Sequence, residues 1–270
     1  MLYDRDFNIL TENETALSAK AENYKRNNLG KLGELTPKVI SKYHEIKPQA
    51  MYHYESLFPN NYLHPDSLDD KNELRKIEQE FKNLLNSDIS ERKILNYINE
   101  NKHYNLIASL FHAGYTFGHH GAYLFKEFEF PTTYKADYLL VGKNSNGYHF
   151  LFIELENPTG SITTNDGAFG LTIRKGIKQV KSWDKWIESN FHSLVLTFEK
   201  YRNPRIDLPN EFRALNKTRI SYAVIAGRRA DFNDNTYDEK RNLFRKENIQ
   251  VLHYDNLIDS FHLFQTTNNY

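Results

Sequence analysis

Apolar and polar residues alternate along FLFIELENP (150–158), so Phe150, Phe152, Glu154 and Glu156 share one face of a strand and Leu151, Ile153 and Leu155 the other. Upstream lies a second apolar run, ADYLLV (136–141), followed by the Gly/Asn-rich break GKNSNG (142–147). Two such runs around such a break predict a β-hairpin. Its register depends on the turn. With Ser145-Asn146 at the tip, Asp137 lies opposite Glu154; with Asn146-Gly147 there, it lies opposite Glu156. Further strands are predicted near 123–130, 192–199, 219–226 and 249–254. Leu74, Ile77, Phe81 and Leu84 recur at helical spacing over 69–87, with Asp69 and Asp70 suited to the positive N-terminus. A second helix starts at Ser90 as N-cap, with Lys93 where a full capping box has Glu or Gln. The stretch 170–189 has its apolar stripe at positions 173, 177, 180 and 187. Lys178, Lys181 and Lys185 then fall on the far side, and Lys175, Gln179, Trp183 and Trp186 along one edge. A Pro-containing loop (203–209) and a short helix (238–248) complete the pattern. The sum predicts an α/β (or α+β) domain, a mixed central sheet flanked by helices.

Residues 1–65 are less patterned, and 52–67 are turn-rich with Pro59, Pro65 and paired Asn. The expected organisation is a small N-terminal appendage, 1–65, serving regulation or assembly, and a main domain, 66–270. The chain carries 35 Lys+Arg against 35 Asp+Glu, which excludes a globally basic nucleic-acid binder while leaving room for a local basic patch. With no cysteine there are no disulfides, thiolate zinc sites or cysteine nucleophiles. No apolar run approaches the roughly 20 residues of a membrane helix, and MLYDRDFNILTENE lacks a signal-peptide layout. The expected location is the cytoplasm, away from membranes.

Opposed residues on one face of a hairpin sit about 5 Å apart at Cβ, and like charges there repel. A fold that keeps Asp137, Glu154 and Glu156 on one face therefore points to a bound cation, and hard oxygen donors select Mg²⁺, Mn²⁺ or Ca²⁺. Other chemistry carries less. His112, His119 and His120 cluster in FHAGYTFGHHG (111–121) without a metal-binding spacing. No phosphate-binding Gly-rich loop precedes a Lys-Ser/Thr pair, and GAFG (167–170) serves only to free the loop before the helix. Arg228 and Arg229 end an apolar strand, where they can meet phosphate or pair with Asp231.

Asp, then Glu-x-Glu, then a helix carrying Gln-x-x-x-aromatic resembles the core of the PD-(D/E)xK nuclease superfamily. The likeness extends through ISERKILNYINENK (89–102), YLFKEFEF, KADYLL, FIELENP, IKQVKSWDKWI, YAVIAGRR (222–229) and IQVLHYDNLIDSF (249–261). Blocks in this order, over roughly residues 85–265, resemble the nuclease domain of the Shedu antiphage defence proteins. The resemblance implies a restriction-endonuclease-like core and a Mg²⁺- or Mn²⁺-dependent DNA nuclease of bacterial immunity, acting as a homo-oligomer such as a tetramer. By the same resemblance, Asp137 is the motif aspartate and Glu154 the second acidic ligand. Gln179 is the helix glutamine that orients the site, and Glu91 is the acid of the first core helix. The chain departs from the motif at position 156, where Glu replaces the usual Lys. Lys175, one turn before Gln179, is the first candidate to supply that charge, and Lys135 the second. Glu156 is then a third metal ligand or a proton acceptor, and Lys178, Lys181, Lys185, Arg228 and Arg229 are candidates for the DNA backbone. Three readings remain at this point: a DNA endonuclease, a catalytically inactive nucleic-acid-binding or regulatory domain of the same fold, and an RNA-directed nuclease.

Overall fold

The computed structural model describes residues 2–30, 33–131 and 133–270. Its centre is a five-stranded sheet in the order β1-β2-β3-β4-β5, formed by β1 (Gly121–Phe130), β2 (Tyr134–Asn144), β3 (Gly147–Leu155), β4 (Ile220–Ile225) and β5 (Ile249–Leu252). β1, β2 and β3 form an antiparallel meander, while β3, β4 and β5 run parallel. The sheet is therefore mixed and flanked by helices, as the alternating pattern predicts. The parallel pairs need crossover connections, and helices supply them.

The helices among the described residues are α1 (Glu12–Asn27), α2 (Pro37–Ile46), α3 (Gln49–Glu55), α4 (Lys71–Leu85), α5 (Glu91–Glu100), α6 (Asn105–Ala108), α7 (Leu171–Tyr201), α8 (Asp234–Glu247) and α9 (Tyr254–Leu263). α4, α5, α6 and α9 cover one sheet face, where Tyr138, Leu140, Leu151, Ile153, Leu155, Ala223 and Ile225 point. α7 covers the other, over Leu139, Val141, Phe150, Phe152, Tyr222 and Val224. The α4 start follows its sequence cue, since the Asp70 side chain accepts from the Asn72 and Glu73 N–H groups.

Two expectations are corrected. No strand forms at 192–199; α7 runs on through it to Tyr201, 31 residues in all. Phe191, Leu194 and Phe198 are buried at helical spacing and extend the stripe of Ile173, Val180 and Ile187. The β-like run SLVLTF hides that longer period. Trp183, expected on the edge between the two faces, is 0 % exposed and stacks on Phe130, so the buried stripe of α7 extends to that edge.

The N-terminal residues lie against this core. Phe58 is buried among the rings of Tyr123, Phe125 and Phe212. Leu63 N–H donates to the Ala122 carbonyl and Leu124 N–H to that of Asn61, both at 2.9 Å, so 61–63 lines the free edge of β1. No helix among the described residues is long and apolar enough to cross a membrane.

Candidate functional site

The β2–β3 hairpin pairs Asn144 with Gly147, which puts Ser145-Asn146 at its tip and selects the first of the two registers. Tyr138 pairs with Ile153, and Asp137 continues that ladder opposite Glu154. The Asp137 carboxylate accepts the Leu155 N–H at 2.8 Å. On the other side of Asp137, Glu127 of β1 takes a left-handed backbone (φ 47°), and the β1–β2 pairing skips that position. The sheet thus loosens beside the aspartate.

Glu154 is 4 % exposed and Glu156 is 1 % exposed, both beneath α7. Helix packing this close needs Gly176: a Cβ there would stand 2.5 Å from Val224 Cγ1 and 3.1 Å from Glu156 Cγ. The backbone of position 156 is fixed from two directions. Its N–H donates to Ile225 O at 2.8 Å, and the buried Tyr254 hydroxyl donates to its carbonyl at 2.7 Å. From the first core helix, Glu91 enters at the N-terminus of α5, its own N–H held at 2.9 Å by the Asn157 side chain. Lys175 stands between the acids, 2.8 Å from Glu156 Oε2 and 3.9 Å from Glu91 Oε2.

The electrostatics follow from this crowding. Burial, then the charges of Glu91 and Glu156, push Asp137 up to about 7 against the help of the Leu155 N–H. Burial, then Asp137, Glu156 and Glu91, push Glu154 higher still. Glu156 is raised too, because burial outweighs its bond to Lys175. Burial opposes the Lys175 ammonium, but the bond to Glu156 prevails and raises it. Two carboxylate oxygens, Glu154 Oε2 and Glu156 Oε1, are buried without a hydrogen-bond partner. Buried acids lacking partners are costly, and a hard divalent cation would satisfy them. Asp137, Glu154 and Glu156 therefore fit such an ion by chemistry, with Glu91 beside them. Among the described residues no three His, Asp or Glu side chains already stand gathered around one point. Side-chain rotation would have to close the set.

The remaining candidates fall in three places. Gln179 and Lys135 share with Lys175 a hollow beside the carboxylates, and Lys135 also pairs with Glu127 at 3.5 Å. Lys178 lines the same hollow, Lys185 is exposed on α7, and Lys181 is engaged with Glu247 of α8. Arg228 is tied to Asp255 (2.8 Å) and to the Leu85 carbonyl that ends α4 (2.7 Å). The Asp231 side chain accepts the Arg228 backbone N–H, and the Arg229 side chain binds Asp259. Both arginines thus brace α9 within the structure. His112 sits by Phe264 with its ring nitrogen 3.3 Å from the Asn269 carbonyl, while His119 and His120 contact each other.

Sequence reasoning missed Gly176, Asn157 and Tyr254, which position the acids without being acids. Gly176 alone left a signal: a glycine inside a helix costs about 1 kcal/mol against Ala and marks a close approach.

A comparison with curated proteins gives no match. Residues 74–258 match the family described as Shedu protein SduA, C-terminal, a span that takes in every element carrying the carboxylates, Lys175 and Gln179. More than half of the chain lies in that match, and the chain belongs to the Shedu SduA C-terminal family, a family of antiphage defence.

Proposed function

We propose that this protein is a divalent-metal-dependent DNA endonuclease of antiphage defence, hydrolysing phosphodiester bonds. The observation that carries it is the half-buried Asp137 of β2 beside the buried Glu154 of β3 and Glu156 just past it, with two unpartnered oxygens and Lys175 against Glu156. Asp137 and Glu154 would hold Mg²⁺ or Mn²⁺, with Glu156 and Glu91 adjoining. The ion, when bound, polarises a phosphoryl oxygen and lowers the pKa of bound water. The chain supplies the rest. Lys175 offsets charge developing on the phosphate, an electrostatic role worth about 10²-fold or more in rate. Gln179 orients from the same helix edge, and Lys178, Lys181 and Lys185 follow the DNA backbone. Family resemblance supports a homo-oligomer, a tetramer.

The test is incubation of purified protein with linear and circular DNA, with and without Mg²⁺, beside Glu154→Ala. Cleavage that needs Mg²⁺ and disappears in the variant is expected. Cleavage retained by the variant would overturn the assignment of the site.

Two observations favour a second reading. Glu stands at 156 where the motif has Lys, and the acids are not gathered around one point. A catalytically inactive DNA-binding domain would share both features. Calorimetric titration with Mn²⁺ separates the two: the nuclease binds it through the carboxylates, and the inactive domain gives no carboxylate-dependent heat.

A further inference from the structure

Beside the carboxylates lies a hollow of about 410 Å³ between the start of β2 and α7. Its lining is Thr133, Tyr134, Lys135, Lys175, Lys178, Gln179, Ser182 and Trp183. Polar groups that can donate dominate, and no carboxylate is among them. Ser182 already donates to the Lys178 carbonyl at 2.9 Å. Lys178 is exposed and has no ion pair among the described residues. Among the described residues Lys135 has a single ion-pair partner, Glu127 at 3.5 Å, with both side chains at least half exposed, so water and salt screen the pair. Trp183 is 0 % exposed, and its indole N–H is buried without an acceptor. An anion seated here would meet the ammonium groups of Lys135 and Lys178.

The hollow also has a fixed relation to the carboxylates. Lys175 forms part of its wall and touches Glu156. Lys178 follows three residues later on the same helix, about 4.5 Å along its axis. A DNA strand carries one phosphate about every 3.4 Å of axis. One turn of α7 therefore spans the order of one nucleotide step.

We propose that this hollow binds the backbone phosphate neighbouring the scissile one, with Lys135 and Lys178 supplying its positive charge. It thereby sets which way the cut strand runs across β2 and α7. The inference rests on the nuclease reading but is tested by binding alone. Anisotropy of a fluorescent duplex oligonucleotide is measured in EDTA, where no cleavage intervenes, across a salt series. The double variant Lys135→Ala, Lys178→Ala is compared with wild type and with Lys20→Ala, Lys38→Ala, two exposed lysines of α1 and α2. Both pairs are exposed, so folding is preserved. The hollow variant should bind about tenfold more weakly, with its log–log salt slope shallower by about 0.9 per lost phosphate contact. The control should match wild type. A hollow variant with the control's affinity and slope overturns the subsite while leaving the nuclease reading intact. Failure of wild-type protein to bind DNA at any salt concentration overturns both.

Discussion

Asp137, Glu154 and Glu156 all have pKa values raised above the ordinary carboxylate range, and the largest cause in each is burial, ahead of any single neighbour. Because their pKa values are raised above the usual value of about 4, the native state binds more protons than the unfolded chain. The associated stability is fully present below that usual value and is lost as pH rises through the raised ones. For the metal-free protein, the loss runs from about pH 4 past neutrality, since Asp137 titrates near 7 and Glu154 above it. Glu154→Gln removes part of the dependence. Thermal melts in EDTA at pH 5, 7 and 9 should show the variant gaining on wild type as pH rises, and parallel curves would refute the argument. At this scale the sequence was legible where alternation fixed facing: one strand parity placed Glu154 and Glu156 on the face of Phe150 and Phe152, which α7 covers. It was silent on depth. Nothing in FIELENP says that Glu156 is 1 % exposed, because that follows from Gly176 and Tyr254, distant in the chain. The ion pair of Arg228 is set by distance in the same way: its side-chain partner is Asp255 on α9, while the adjacent Asp231 takes its backbone N–H.

Among elements, the hairpin and α7 illustrate opposite outcomes. The hairpin was readable down to two registers because Gly and Asn punctuate it, and its tip then chose between them. α7 was readable only to its middle. Beyond residue 190, β-branched and aromatic side chains imitate a strand, and packing against the sheet overrides that local preference. The two conformations make different demands on neighbouring leucines. In a strand, Leu194, Leu196 and Phe198 would share a face. In the helix, Leu194 and Phe198 are buried and Leu196 is 68 % exposed. Leu194→Ala should therefore cost about 2–5 kcal/mol, while Leu196→Ala stays within about 0.5 kcal/mol. Urea denaturation measures both, and equal losses would contradict the continuous helix.

For the molecule as a whole, the question is how much chain the core requires. The family match begins at residue 74, yet Phe58 and the 61–63 segment are built into the sheet's α7 side and its β1 edge. Residues 57–63 therefore complete the fold, whereas α1 and α2 chiefly contact each other and α3. Removal of residues 1–47 should leave a cooperatively melting protein. Removal of residues 1–66 should yield aggregated or non-cooperative material, because it strips Phe58 from its aromatic neighbours and bares the β1 edge. Circular dichroism melts of the two truncations decide the point, and a well-folded 67–270 fragment would disprove it. Sequence pattern could not place this limit, since a short segment that borrows its order from an adjoining sheet has no periodicity of its own.

The missing methyl group at Gly176 has a consequence for access. A carboxylate sheltered by side chains can be uncovered by a change of rotamer. Glu156 is sheltered at that point by the main chain of a 31-residue helix, which has no rotamers to change. The Lys175 side chain, 62 % exposed and 2.8 Å from Glu156 Oε2, is by contrast a neighbour that can change rotamer while α7 stays in place. The two walls around Glu156 therefore differ in kind, one fixed by main chain and the other set by a side-chain rotamer.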